Sequence, residues 1–273
     1  MTLSAKEIKA ELMKLADRER ASVYALFFKT GTDQYGEGDV FAGVTVPKQR
    51  VIAKRHAVKF IDSLLQKDGK GLGKILPGSF SWIQELLNDK VHECRLTALM
   101  IMVYLYKHKK SDAKLKVPLY KLYVANFKNI NNWDLVDTSA RDIVGAHLHE
   151  FMPEQAAGTL SAWAASKYLW TRRVSIVATH YFIGKGEFAH TSAISEALLG
   201  DRHDLIHKAS GWMLREMGKK NEAALLDFLG KNGPRMPRTM LRYAIERLSP
   251  EKRRCFMEAP SESRMRPLRK LQP

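Results

Sequence analysis

The stretch Asn131-Asn132-Trp133-Asp134-Leu135-Val136-Asp137 sets a large aromatic ring and a carboxylate within one helical turn. On a helix, Trp133 and Asp137 are i,i+4 and share a face. Leu135 and Val136 turn to the other side, where they can fill a core. Taken alone, the pair reads most simply as a partly buried tryptophan beside a solvated aspartate. Matching groups recur further along. In Leu169-Trp170-Thr171-Arg172-Arg173, one of two arginines can point inward. In Ser210-Gly211-Trp212-Met213-Leu214-Arg215-Glu216, Trp212 and Arg215 are i,i+3 on one face. Stacked as repeats, these segments would bring Trp133, Asp137, Arg173 and Trp212 to one concave surface. A carboxylate on a basic surface repels phosphate, so it points to a bound cation or to positive charge that develops in a reaction.

Other motifs carry less. Gly69, Gly71 and Gly73 alternate with lysine and leucine, but no strand precedes them and no Gly-Lys-Ser/Thr follows, which makes a loop rather than a phosphate cradle. His203 and His207 are four apart on a helix, but no third ligand stands near them, and no metal site is expected. His147 and His149 are two apart and point to different sides. Nothing resembles a nucleophile elbow. Arg235, Arg238 and Arg242 surround a helix start at Pro237, where phosphate-binding arginines and backbone N–H groups can combine. Solvated surface charges explain them equally well.

The elements that must position these groups read almost entirely as helices. Ser4-Ala5-Lys6-Glu7 has the form of a capping box ahead of Ile8, Leu12 and Leu15. Pro47, Pro153 and Pro237 suit first helical positions. Gly184, Gly200 and Gly218 read as C-terminal stops. Helices are predicted near 92–108, 112–127, 133–150, 169–183, 203–217 and 221–231. Phe41 to Val46 is a weak strand candidate and reads better as a loop. Arg95, Val136, Arg173 and Lys208 stand in register at spacings of 41, 37 and 35 residues. Two helices per period of this length suggest an all-α fold, an α-solenoid of HEAT-like helix-pair repeats with a concave basic groove. An ordinary helical bundle is the alternative.

The charge fits such a groove. The 273 residues carry 45 Lys and Arg against 29 Asp and Glu, a formal net charge of +16, and 45% are hydrophobic. The apolar content excludes a wholly disordered chain. The charge favours a polyanion, whether DNA, RNA or an acidic membrane surface. Cys94 and Cys255 form no disulfide framework and suit a reducing compartment. The first 20 residues are too charged for a secretory signal, and the apolar run Ala98 to Tyr106 is too short to span a membrane. A cytoplasmic monomer with no membrane partner is expected, one that would be nucleoid-associated if the polyanion it binds is DNA. Residues 1–248 are read as one domain. From Ser249 on, seven basic residues stand against three acidic ones among four prolines, which predicts a disordered tail beyond one helical turn.

In this order, Gly43-Val44-Thr45-Val46-Pro47, Trp133-Asp134-Leu135-Val136-Asp137, Trp170 with Arg173, and Gly211-Trp212-Met213-Leu214-Arg215-Glu216 resemble the DNA alkylation repair family, the AlkD-like DNA glycosylases built from HEAT-like repeats. The resemblance covers roughly residues 20–248. It implies that Asp137 is the catalytic aspartate and that Trp133 and Trp212 flank the deoxyribose of the lesion. Arg173 would stand beside them, and Arg215 and Thr45 would contact DNA. Thr45 departs from the glutamine of the best-known member. The implied substrate is duplex DNA carrying N3- or N7-alkylated purines, with no cofactor.

Elementary chemistry agrees with what the resemblance implies. Alkylation at N3 or N7 makes the purine cationic, so the base leaves as a neutral molecule without a general acid. Glycoside hydrolysis ordinarily uses two carboxylates, one of them an acid. Here one ionised carboxylate suffices. Arg173 would either hold a phosphate or orient Asp137 through a salt bridge. The competing classes are a noncatalytic protein that binds damaged or branched DNA by shape, and a protein-binding HEAT scaffold.

Overall fold

The computed structural model describes residues 3–65, 72, 73, 75, 76 and 78–258. Gly69, Gly71 and residues 259–273, with most of the basic tail, lie outside the described residues. Within them the fold is all-α, and its β pairing is confined to two isolated bridges, Val40 with Val91 and Leu65 with Leu72. Phe41 to Val46 is irregular until the next helix starts, as its sequence predicts. No helix of the described residues is long and apolar enough to cross a membrane.

The chain divides into two compact units, Met1–His147 and Leu148–Pro273. The first holds α1 (Ala5–Met13), α2 (Arg18–Phe27), α3 (Val46–Leu64), α4 (Ser81–Leu87), α5 (His92–Lys107), α6 (Ala113–Ala125) and α7 (Trp133–Ala140). A π-turn, Arg141–Gly145, leads from α7 into α8 (Ala146–Phe151), within which the division falls. The second unit continues with α9 (Pro153–Ala164), α10 (Leu169–Gly184), α11 (Ala189–Ala197), α12 (Asp204–Lys220), α13 (Glu222–Asn232), α14 (Arg238–Ala244) and α15 (Pro250–Glu258).

Each unit is built around one long helix. In the first it is α5, whose Leu96 to Met102 run is buried on every side. A helix apolar all round must lie in a core, and α1, α3, α4, α6 and α7 pack around this one. Each fully buried Leu or Ile there contributes about 1.5–3 kcal/mol. In the second unit α12 takes that place, packed by α10, α11, α13 and α14. The segments in register fall on α5, α7, α10 and α12, and the pairs α4–α5, α9–α10 and α11–α12 pack directly. Arg95, Val136 and Arg173 are buried at the register position, while Lys208 pairs at the surface with Asp204 at 2.7 Å.

Helix starts follow local chemistry. Asp17, Asp112, Asn132 and Asn221 each accept a backbone N–H at the head of their helices. Some predicted caps differ. Ser4 is the N-cap of α1, but its hydroxyl makes no capping bond. Pro237 is the N-cap of α14 rather than its first helical residue. Gly184 ends α10, whereas α11 stops at Ala197, short of Gly200. Gly218 stops nothing. It lies inside α12, where any Cβ would run into the Leu225 side chain of α13. Its smallness serves helix packing instead of termination. The chain past Ser249 forms the nine-residue α15, with Phe256 fully buried, so helix runs beyond the single turn expected there.

Candidate active site

The chemistry of the first unit gathers on α7. Asn132 caps it, its side-chain oxygen accepting Trp133 N–H at 2.8 Å. Leu135 and Val136 are fully buried, which leaves Trp133 and Asp137 half-buried on the outward face. The sequence periodicity predicts this division of faces. Both side chains line an open pocket of about 560 Å³. Met100, Val103 and Tyr104 of α5 contribute apolar surface, Val46 and Arg50 come from the head of α3, and Phe28 follows α2. Asp142, in the π-turn directly behind α7, also lines it and binds Lys107 at 3.1 Å.

One wall is aromatic. Trp133 stacks on Phe28 with ring centroids 5.2 Å apart and planes 12° apart, and Phe28 stacks on Phe41 at 4.9 Å. Asp137 lies close enough to the buried Tyr123 for its charge to add to the rise in that phenol's pKa, which burial chiefly causes. The pocket thus offers a flat π-face and a carboxylate one helical turn apart. Both favour a positively charged ring.

The arrangement rests on a buried ionic network that sequence reasoning missed. His92 Nδ1 donates to Asp39 at 3.0 Å, and His92 Nε2 donates to Asp134 at 2.8 Å. Arg95 and Asn132 also donate to Asp39. Burial pushes the His92 pKa down, but the two carboxylates outweigh it and raise the pKa to about 9. Burial alone would raise the pKa of Asp39, yet the His92 bond and the Arg95 charge hold it below the usual carboxylate range. A second buried carboxylate, Glu93, accepts the backbone N–H groups of Ala42, Gly43 and Val44 at 3.0, 2.8 and 3.2 Å. That fixes the loop ahead of α3. Gly43 sits there at φ 79°, and any Cβ would strike the Asp17 carbonyl. Thr45 follows as the half-buried N-cap of α3, with no side-chain capping bond.

The second unit holds the remaining expected residues. Trp212 is half-buried on α12, edge-on to His180 of α10 at 5.7 Å. Its neighbour Gly211 permits the close approach of α14, since a Cβ would lie 2.5 Å from the Met240 carbonyl oxygen and from Tyr243. Arg215 pairs with Glu246 and, at 3.5 Å, with Glu216. Arg173 is only 4% exposed and donates to the Leu205 carbonyl at the head of α12. Its neighbour Arg172 binds Asp201 at 2.6 Å. Trp170 is buried as well. Arg235, Arg238 and Arg242 are all exposed around α14; Arg235 pairs with Glu196 at 3.2 Å and Arg238 donates to the Met257 carbonyl. His203 caps α12 through Nδ1, and His207 donates to the Asp201 carbonyl, so both histidines have structural roles. Among the described residues, no group of three or more His, Cys, Asp or Glu side chains could hold a metal ion.

The fold is similar to that of a solved structure, a predicted DNA alkylation repair enzyme from Enterococcus faecalis, with a TM-score of 0.64. The two share 15% sequence identity over 86% of this chain and 97% of that one, so the likeness speaks for the fold alone. No curated protein matches the sequence. The profile of the DNA alkylation repair enzyme family matches residues 8–248, from α1 through α14 and past the Trp133–Asp137 pocket. With nearly the whole chain covered, this protein belongs to the DNA alkylation repair enzyme family.

Proposed function

We propose that the protein is a monofunctional DNA glycosylase that hydrolyses the N-glycosidic bond of cationic N3- and N7-alkylated purines in duplex DNA, with 3-methyladenine and 7-methylguanine as type substrates. The observation that carries this is the placement of Trp133 and Asp137 on one pocket wall, ring and carboxylate one turn apart. As the glycosidic bond breaks, positive charge passes from the purine to the sugar. Ionised Asp137 stabilises that charge and orients or deprotonates the attacking water. The Trp133 face adds about 0.5–2 kcal/mol of attraction for a cation, depending on desolvation. The departing base is neutral, so a second carboxylate acting as acid is unnecessary, and the chemistry calls for no metal or organic cofactor.

The second unit contributes DNA contacts. Trp212 offers an aromatic face, and Arg215, Arg235, Arg238 and Arg242 offer guanidinium groups for phosphate. Thr45 contacts DNA beside the pocket. The burial of Arg173 and its bond to the Leu205 carbonyl support a positioning role for it at the head of α12.

The test is incubation of the purified chain with methylated duplex DNA. Free 7-methylguanine and an abasic site in an unbroken strand are expected. Binding to the duplex without base release would mark a noncatalytic DNA-binding protein, and strand cleavage at the lesion would exclude a monofunctional enzyme.

A further inference from the structure

Beyond its buried Leu135 and Val136, the first turn of α7 is tied to the rest of its unit by a hydrogen-bond chain that runs through one imidazole. Asp134 follows Trp133 directly, and one of its carboxylate oxygens takes His92 Nε2–H while the other accepts the Leu135 N–H at 2.9 Å. Asn132, which precedes Trp133, donates to Asp39 at 3.0 Å, and Asp39 holds the other nitrogen of the same imidazole. Asn131 also reaches Asp39, at 3.3 Å. Of the residues on either side of Trp133, Asp134 is therefore held directly by one end of the His92 ring, and Asn132 through Asp39, which the other end holds.

The ring also joins the aromatic wall. Phe41 stacks on His92 at 4.5 Å, Phe28 lies 5.2 Å from it, and Phe28 is the ring on which Trp133 stacks. His92 is 1% exposed, so water cannot take the place of either partner. The charged groups facing it are Asp39 from the loop before α3 and Asp134 from α7, with Arg95 of its own helix balancing Asp39. Two carboxylates and two ring nitrogens at hydrogen-bonding distance require both nitrogens to carry protons. A neutral imidazole has one N–H. It would leave a buried carboxylate oxygen against a bare nitrogen lone pair, and the clamp would open on one side.

We propose that His92, as the imidazolium bridging Asp39 and Asp134, is a positioning residue that sets the Trp133 ring and the first turn of α7 in the pocket, and that loss of its proton releases them. Its effect on base excision rests on the glycosylase reading; its effect on Trp133 does not. The raised pKa of about 9 places the release on the alkaline side.

The experiment is ¹⁹F NMR of the full chain labelled with 5-fluorotryptophan, titrated from pH 6 to pH 10.5. The five tryptophans give five resonances, and Trp133→Phe assigns the one that matters. In the wild type the Trp133 resonance should shift in a single step centred near pH 9, and in His92→Gln that step should be absent. A Trp133 resonance that is flat in the wild type, or that titrates identically in His92→Gln, overturns the proposal. If His92→Gln does not fold, Asp134→Asn replaces it: loss of one paired charge should lower the midpoint by about one pH unit, and an unchanged midpoint overturns the proposal. Release of 7-methylguanine is measured on the same samples. His92→Gln should lower kcat about tenfold with KM for DNA little changed, as expected of a misplaced reacting group. A Trp133 step that depends on His92, in a wild-type chain that releases no base, would uphold the positioning role and remove the glycosylase reading.

Discussion

At the scale of the residue, the proposed reaction divides the work between the charge of Asp137 and the surface of Trp133. In that proposal the carboxylate answers positive charge that develops on the sugar, and the ring supplies a face for it to rest against. Replacing Trp133 with alanine should therefore slow excision by about tenfold or more while changing affinity for undamaged DNA far less. Single-turnover rates and binding titrations of the same variant check this, and equal losses in both would reduce Trp133 to a packing residue. This pair is legible in the sequence because i,i+4 spacing is local and survives in any helix. The network beneath it is not. His92 meets Asp39 across 53 residues and Asp134 across 42, so no local pattern announces either bond. Arg172 and Arg173 show the same limit. Both are bound in the second unit, one to Asp201 and one to the Leu205 carbonyl, and the pair of letters does not tell which turns inward.

At the scale of the element, the helices matter for what they hold still. α12 and α14 approach through Gly211, directly before Trp212. Gly211→Ala places a methyl 2.5 Å from the Met240 carbonyl oxygen and should cost about 1–3 kcal/mol, read as a lower denaturation midpoint. An unchanged midpoint would mean the helices can part without cost. The His92 bridge makes a second demand. Its folded pKa of about 9 lies above the unfolded value near 6.5, so the stability it confers is complete below pH 6.5 and is lost as pH rises to about 9. The loss should be on the order of 3 kcal/mol by pH 10, and His92→Gln should flatten that part of the stability–pH curve. Helix positions follow from apolar periodicity for α5, α6, α10, α12 and α13, but not for α2, α4 and α11, which are short, α2 burying no residue at all. Their ends are harder. Ser4 stands where a cap belongs yet makes no capping bond, and Gly218 looks like a stop but serves a close contact with Leu225 that only the folded chain reveals.

At the scale of the whole molecule, a net charge of +16 suits polyanionic partners, and membership of a DNA alkylation repair enzyme family points to DNA among them. Composition alone leaves RNA and acidic membranes open. Binding to duplex DNA should weaken steeply with salt, by about one unit of log–log slope for each phosphate contact. Arg50, exposed at the pocket rim, should account for about one of those units when changed to alanine. A flat salt dependence would exclude a phosphate-lined surface. Against this excess of positive charge, the proposed reaction turns on one of the carboxylates that line the pocket, Asp137 beside Asp134 and Asp142, and removing its charge tests the central claim most directly. Asp137→Asn keeps the side chain's shape and removes its charge. Measured on methylated duplex DNA, the variant should bind as the wild type does and release 7-methylguanine at least 100-fold more slowly. Release at a rate near that of the wild type would contradict the assignment of Asp137 as the catalytic carboxylate.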